Sequence, residues 1–128
     1  MAYYFSKTID TPFERAVDRV TEALADKGFG VLTTIDVKAT FKKKLNLDVP
    51  AYTILGACNP QFARRALQLE DKVGTMLPCN VIVQQRDGDR VEVSAVDPVA
   101  SMQAIDNPKL ASVAGDVSKL LQEAIQGL

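Results

Sequence analysis

The chain has 128 residues and almost balanced charge, with 15 Lys and Arg against 16 Asp and Glu. This length predicts one domain over residues 1–128, large enough to bury a core without help from a metal or a disulfide. A net charge of −1 and an aromatic content of 6% argue against nucleic-acid binding. The chain contains no His, which excludes Ser-His and Cys-His catalysis and the usual zinc sites.

Targeting signals and common cofactor motifs are also missing from the sequence. Residues 1–10 lack the basic start and long apolar run of a signal peptide, and no window approaches the roughly 18 apolar residues of a membrane span. We therefore expect a cytoplasmic protein with no membrane partner and with reduced cysteines. Glycine-rich phosphate loops and acidic calcium loops are absent, so the sequence names no cofactor.

Apolar periodicity and turn residues predict alternating strands and helices. The predicted strands cover residues 3–9, 30–35, 52–58, 73–85 and 90–96. The predicted helices begin near residues 12, 36, 60 and 108. This order predicts an α+β two-layer sandwich. Its sheet has about five strands, mixed or mainly antiparallel, and its helices lie mostly on one face.

Two helix starts are predicted in detail. Thr11, followed by a proline, is expected to cap the first helix. Asp36 is expected to cap a short helix that ends at Asn46. The alternation of Val37, Ala39 and Phe41 would also fit a strand that simply continues.

The unusual chemistry is concentrated in residues 53–83, which hold both cysteines. Cys58 ends one predicted strand, and Cys79 follows Pro78, which predicts an edge position or a bulge. A helix crossover between two strands usually returns to a neighbouring parallel strand. We therefore expect the two sulfur atoms to face a common cavity, with Met102 approaching from the loop after the fifth strand.

Each cysteine is followed by Asn, in the motifs LGACNP (residues 55–60) and LPCNV (residues 77–81). With the later Asp97-Pro98 pair and Met102, these motifs resemble the domain-of-unknown-function 302 family over nearly the whole chain. The resemblance implies a compact α+β fold that is often dimeric, and a family without an established activity. The resemblance indicates no particular reaction and no particular ligand.

The functional hypothesis is a binding or sensing module for a small or soft ligand. Its candidate ligand-binding residues are Cys58, Asn59, Cys79, Asn80 and Met102. Cys58 would lie at a helix N-terminus, a setting that stabilises a thiolate. For a soft metal such as Cu(I) the donors would be the two thiols and the Met102 thioether. Zinc is disfavoured because the chain has no His, a usual zinc ligand.

Two other hypotheses remain open. In the first, the cysteines only fill the core and the protein is a homodimeric interaction module. The last helix favours a dimer, because its apolar stripe exceeds what one packed face needs; the residues concerned are Leu120, Leu121, Ile125 and Leu128. In the second, Cys58 is an enzymatic nucleophile and Asn59 or Asn80 donates to an oxyanion. Asp36, Asp97 or a lysine would then have to act as the base.

Overall fold

A computed structural model describes residues 2–128, and this part of the chain forms one five-stranded sheet, five α-helices and a 3₁₀ helix. The strands are β1 (Tyr4–Asp10), β2 (Gly30–Asp36), β3 (Tyr52–Cys58), β4 (Cys79–Gln85) and β5 (Arg90–Val96). The α-helices are α1 (Phe13–Asp26), α2 (Val37–Leu45), α3 (Pro60–Leu69), α4 (Pro98–Ser101) and α5 (Pro108–Gln126). The 3₁₀ helix is Asp71–Met76. The strand order is β1-β5-β4-β3-β2 and every neighbouring pair is antiparallel, which confirms the predicted α+β fold.

The core lies between one face of the sheet and the two long helices. Alternate residues of the central strands point into it, and Val81, Val83, Val91 and Val93 are fully buried. Helices α1 and α5 contact each other as well as the sheet, so both apolar stripes are covered by the same layer. The other face of the sheet is largely open, and we call it the open face.

The connection between β3 and β4 differs from the prediction. These strands are neighbours, but they are antiparallel rather than parallel. Residues 73–76, expected to begin the fourth strand, belong to the 3₁₀ helix, which brings the chain back to the end of the sheet where β3 stops. Pro78 lies just before β4, in the middle of the sheet, so the predicted edge or bulge at Pro78 is wrong. The register shift is found instead in β2, between Val31 and Thr33.

Local helix signals were predicted with more success. Asp36 caps α2 by accepting a hydrogen bond from the Ala39 amide at 2.9 Å, and Asn46 ends the helix with a left-handed φ of 54°. The predicted cap at Thr11 is wrong. Pro12 occupies the cap position without a side-chain hydrogen bond, and the Thr11 amide donates to the Asp89 carbonyl at 2.8 Å instead.

The apolar stripe of α5 is already covered within one chain. Leu121 and Ile125 are fully buried, and Leu120 and Leu128 pack against the core. The excess of apolar residues that favoured a dimer through this helix is therefore absent. Within residues 2–128, none of the helices combines the length and hydropathy of a membrane-crossing segment.

Candidate functional site

The two cysteines meet where β3 ends and β4 begins. Cys79, the first residue of β4, lies opposite Ala57 in the antiparallel ladder, and Cys58 is the next and last residue of β3. Opposed residues of an antiparallel pair have Cα atoms about 4.5–5.5 Å apart. The return of the chain through the 3₁₀ helix therefore brings the two Cys-Asn motifs side by side. Both cysteines are free thiols.

A small cavity lies between this end of the sheet and the helices that cover it. Its volume is about 40 Å³. The residues that line it are Phe29, Ala57, Cys58, Asn59, Phe62, Ala63, Ala66, Leu77, Pro78, Cys79, Pro98, Met102, Leu110, Val113, Ala114 and Val117. A water molecule needs roughly 10–15 Å³ of such volume, and a drug-sized ligand needs a pocket of about 300 Å³ or more. The cavity is thus suited to an ion or a very small ligand.

Four of the five candidate residues line this cavity: Cys58, Asn59, Cys79 and Met102. Asn80 does not join them. Side chains alternate along a strand, so Asn80 points to the open face when Cys79 points to the core. The same alternation directs the Cys58 side chain to the open face, because Cys58 follows the core residue Ala57 in β3. The two Asn residues of the twin motifs therefore lie in different environments.

Met102 is positioned by the Asp97-Pro98 pair. Asp97 caps α4, with its Oδ1 atom accepting a hydrogen bond from the Val99 amide at 3.0 Å. The same oxygen accepts a hydrogen bond from the Ser118 hydroxyl at 2.9 Å, which ties this short helix to α5. Met102 follows directly as the C-terminal cap of α4 and is only 9% exposed. The sequence contained the cap pattern but gave no sign of the bond to Ser118.

The two thiols differ in burial. Cys79 is 7% exposed, whereas Cys58 is half-buried. Burial, followed by the charge of the neighbouring Cys58, raises the pKa of the Cys79 thiol from 9.0 to about 11. Cys79 is therefore protonated at neutral pH, and a ligand that needs its thiolate has to displace that proton.

Asn59 is the polar side chain of the cavity lining. It occupies the cap position of α3 but makes no capping hydrogen bond. Its amide nitrogen instead lies against Gly28, where an added Cβ would be 3.0 Å from it. Gly28 has a φ of +87°. Within residues 2–128 the Asn59 side chain has no hydrogen-bond partner, and the dipole of α3 points its positive end at the same place.

The open face carries a second, larger depression of about 440 Å³ above β4 and β5. Its lining includes Tyr3, Tyr4, Tyr52 and Asn80, together with the ion pair between Arg86 and Glu92. Beside it, Ile35, Ile54 and Ile82 form one cross-strand row in β2, β3 and β4. Ile35 is 49% exposed. This apolar surface could not be predicted from the sequence, because alternation alone does not show which sheet face stays uncovered.

The groups that an enzymatic hypothesis requires are not assembled at the cavity. Asp36 and Asp97 both serve as helix caps, and neither lines it. Asn80, one of the two proposed oxyanion donors, lies on the open face. The part of the chain that the structure describes also contains no group of three or more His, Cys, Asp or Glu side chains arranged around a metal ion. The residues with possible donor side chains in the cavity lining are Cys58, Cys79, Met102 and Asn59.

Comparison with known proteins agrees with the resemblance predicted from the two motifs. A family model described as "Domain of unknown function DUF302" matches residues 5–128. The chain is also similar to a solved structure, described as the crystal structure of uncharacterized conserved protein DUF302 from Bacillus stearothermophilus. The sequence identity is 29%, the TM-score is 0.91, and 98% of each chain is covered. No protein with a curated description matches the chain.

Proposed function

The chain belongs to the DUF302 family, whose description gives no activity, and we propose that it is a binding or sensing module for a soft metal ion such as Cu(I). One observation carries the proposal: Cys58, Cys79 and Met102 are all among the residues that line the same small, apolar cavity. The Cys58 side chain, which the alternation of β3 directs to the open face, would have to turn round the end of this strand to join the other two donors. Thiolate and thioether sulfur are the ligands that Cu(I) prefers. The three donors are Cys58, Cys79 and Met102.

The size and polarity of the cavity support an ion rather than an organic ligand. A volume of about 40 Å³ accommodates an ion, and the aliphatic walls keep bulk water away from it. A Cu(I) ion held by two thiolates would leave one net negative charge in the cavity. The N-terminal end of α3, beside Asn59, supplies partial positive charge at that place. The unpartnered Asn59 amide could donate a hydrogen bond to a thiolate.

Competition for Cu(I) against a chromophoric Cu(I) chelator, under anaerobic reducing conditions, tests the proposal. We expect one ion per chain. We also expect Cys58→Ser and Cys79→Ser each to weaken the affinity for Cu(I) by more than roughly 10- to 100-fold, which is the usual cost of removing a residue that only supports the metal ligands. Met102→Leu, which conserves volume, should weaken it less. Zn²⁺ should compete poorly.

Asn80→Ala is the matched control, because Asn80 belongs to the same sequence motif but lies on the open face. It should leave Cu(I) affinity unchanged. The cysteines would be packing residues if Asn80→Ala and Cys79→Ser lost the same Cu(I) affinity. The same would follow if both cysteine variants were destabilised but neither lost Cu(I) affinity.

A homodimeric interaction module is the second candidate, and the apolar row Ile35, Ile54 and Ile82 supports it. The open face, rather than α5, would then be the contact surface between two copies. Light scattering at micromolar concentration distinguishes a dimer from the 13.9 kDa monomer. Ile35→Lys should dissociate the dimer. Leu67→Lys, at an exposed apolar position of α3, should not.

A further inference from the structure

All three tyrosines of the chain line the depression on the open face. They are Tyr3, Tyr4 and Tyr52, and the chain has no Trp. Tyr4 belongs to β1 and Tyr52 to β3, so the depression lies between them above β4 and β5. Its volume of about 440 Å³ is in the range of small-molecule pockets, which begins at about 300 Å³. Aromatic side chains at both ends suit a flat aromatic ligand, because aromatic rings attract each other in offset and edge-to-face contacts.

The charged groups of this depression neutralise each other. The Arg86 Nη2 atom lies 2.6 Å from the Glu92 Oε1 atom, and the other carboxylate oxygen accepts a hydrogen bond from the Ser6 hydroxyl at 2.7 Å. These bonds, from Ser6 first and then Arg86, lower the pKa of Glu92, so the carboxylate is ionised at neutral pH. Among the described residues, no other acidic or basic side chain lines the depression. It therefore favours a neutral ligand, and it leaves no basic side chain free for the phosphates of a nucleic acid.

Gln84 offers directional hydrogen bonds beside one of the tyrosines. It lies directly opposite Tyr52 in the β3–β4 ladder, and alternation places both side chains on the open face. The next residue, Gln85, uses its amide to close the turn between β4 and β5, whereas the half-buried Gln84 amide has no hydrogen-bond partner within residues 2–128. A side-chain amide presents a donor beside an acceptor. It therefore pairs with a ring edge that carries an acceptor beside a donor.

We propose that the depression on the open face binds a small, neutral, planar heteroaromatic ring, which stacks on Tyr52 and pairs along its edge with the Gln84 amide. A free nucleobase has this chemistry. The site does not depend on metal binding, because the cysteine cavity lies between the sheet and the helices, on the other side of the sheet. It competes with a contact between two copies through the open face, because Ile82 belongs to both surfaces.

The tyrosines provide the reporter for the test. In a protein with isotope-labelled tyrosine rings, every labelled NMR signal comes from this depression. Adenine is the probe, because its amino group and N7 atom form the pair that a Gln side chain recognises. We expect millimolar adenine to shift the Tyr52 ring signals to saturation, because a stacked aromatic ring adds its ring current. Glucose, which is neutral but has no aromatic ring, should leave these signals in place.

Calorimetric titration with adenine compares the variants. Tyr52→Leu should weaken binding about tenfold or more, whereas Tyr52→Phe, which keeps the ring, should bind like the wild type. Gln84→Glu keeps the shape of the side chain but replaces the donor with a second acceptor, so it should also weaken binding about tenfold. Gln61→Ala is the matched control at an exposed position of α3, and it should bind adenine like the wild type.

Three results would overturn the proposal. The first is tyrosine signals that do not move with adenine. The second is equal adenine affinity in Gln84→Glu and the wild type, which would mean that the ring edge is not recognised. The third is tyrosine signals that change with protein concentration but not with adenine, which would assign the open face to a contact between two copies. Cys79→Ser should bind adenine like the wild type, so failure of the metal site is distinguishable from failure of this one.

Discussion

Replacing Gly56 by Ala tests whether the close contact between β2, β3 and the start of β4 is required for stability. Gly56 lies in β3, two residues before Cys58. A Cβ added there would be 2.2 Å from the Thr33 Oγ1 atom and 2.8 Å from the Pro78 Cγ atom. Thr33 can rotate away, but the proline ring can move only with the backbone that carries Cys79. Overpacking of this kind costs about 1–3 kcal/mol, and the rigid neighbour places the expected loss near 2 kcal/mol.

Thermal and urea unfolding measure this loss directly. For a domain of this size, 1 kcal/mol corresponds to roughly 4 °C in Tm, so Gly56→Ala should lower Tm by about 8 °C. Gly30→Ala is the matched control, because Gly30 is also a strand glycine and a Cβ there meets no atom within 4 Å. Its effect should stay within about 0.5 kcal/mol.

A double variant identifies the source of the loss. Thr33→Ala removes the nearest of the two clashing atoms, so adding it to Gly56→Ala should recover part of the lost stability while the Pro78 contact remains. Equal losses for Gly30→Ala and Gly56→Ala, or full stability of Gly56→Ala, would refute the packing argument.

Three further predictions concern the cavity and its supports. The pKa of Cys79 is raised from 9.0 to about 11 in the folded protein, so its protonated thiol contributes about 3 kcal/mol of stability below pH 9.0. This contribution should be lost as the pH rises through about 11. In urea unfolding, Cys79→Ala should lack this part of the pH dependence. Asp97→Ala removes the acceptor for Val99 and Ser118 and should cost about 1–2 kcal/mol, whereas Asp97→Asn, which keeps an acceptor oxygen, should cost less. Iodoacetamide should label Cys58 before Cys79, and labelling of Cys79 first, by peptide mapping, would contradict the burial difference.

Predictions from the sequence succeeded where the determining interactions are local. The cap at Asp36 and the end of α2 at Asn46 depend on residues within one helical turn, so the sequence contains the whole interaction. The strand that ends at Cys58 was also predicted, because a run of apolar residues identifies a central strand. At Thr11 the prediction failed because the helix begins at Phe13, so that Pro12 rather than Thr11 occupies the cap position.

The antiparallel direction of β4 could not be predicted because it depends on a second helical segment between β3 and β4. A single helix crossover gives a parallel strand, and α3 alone would have done so. The 3₁₀ helix over residues 71–76 carries the chain back along the sheet once more, and residues 73–76 of it also fit a strand pattern. Asn80 lies on the open face because of the register between β4 and β3 and because the helices cover the other face of the sheet. The sequence motif that contains Asn80 determines neither of these features.

The unequal burial of the two thiols gives a test that separates metal binding from packing. A metal held by Cys79 must displace a proton from a thiol whose pKa is about 11, so the affinity for Cu(I) should rise with pH by about tenfold per unit for this thiol alone. This rise should continue to pH values near 11, because only there does Cys79 ionise without the metal. In Cys79→Ser that contribution should be absent, while Met102→Leu should weaken binding at every pH without changing the slope. A chelator competition calibrated at each pH measures both. Identical slopes for wild type and Cys79→Ser would mean that Cys79 keeps its proton and does not coordinate the ion.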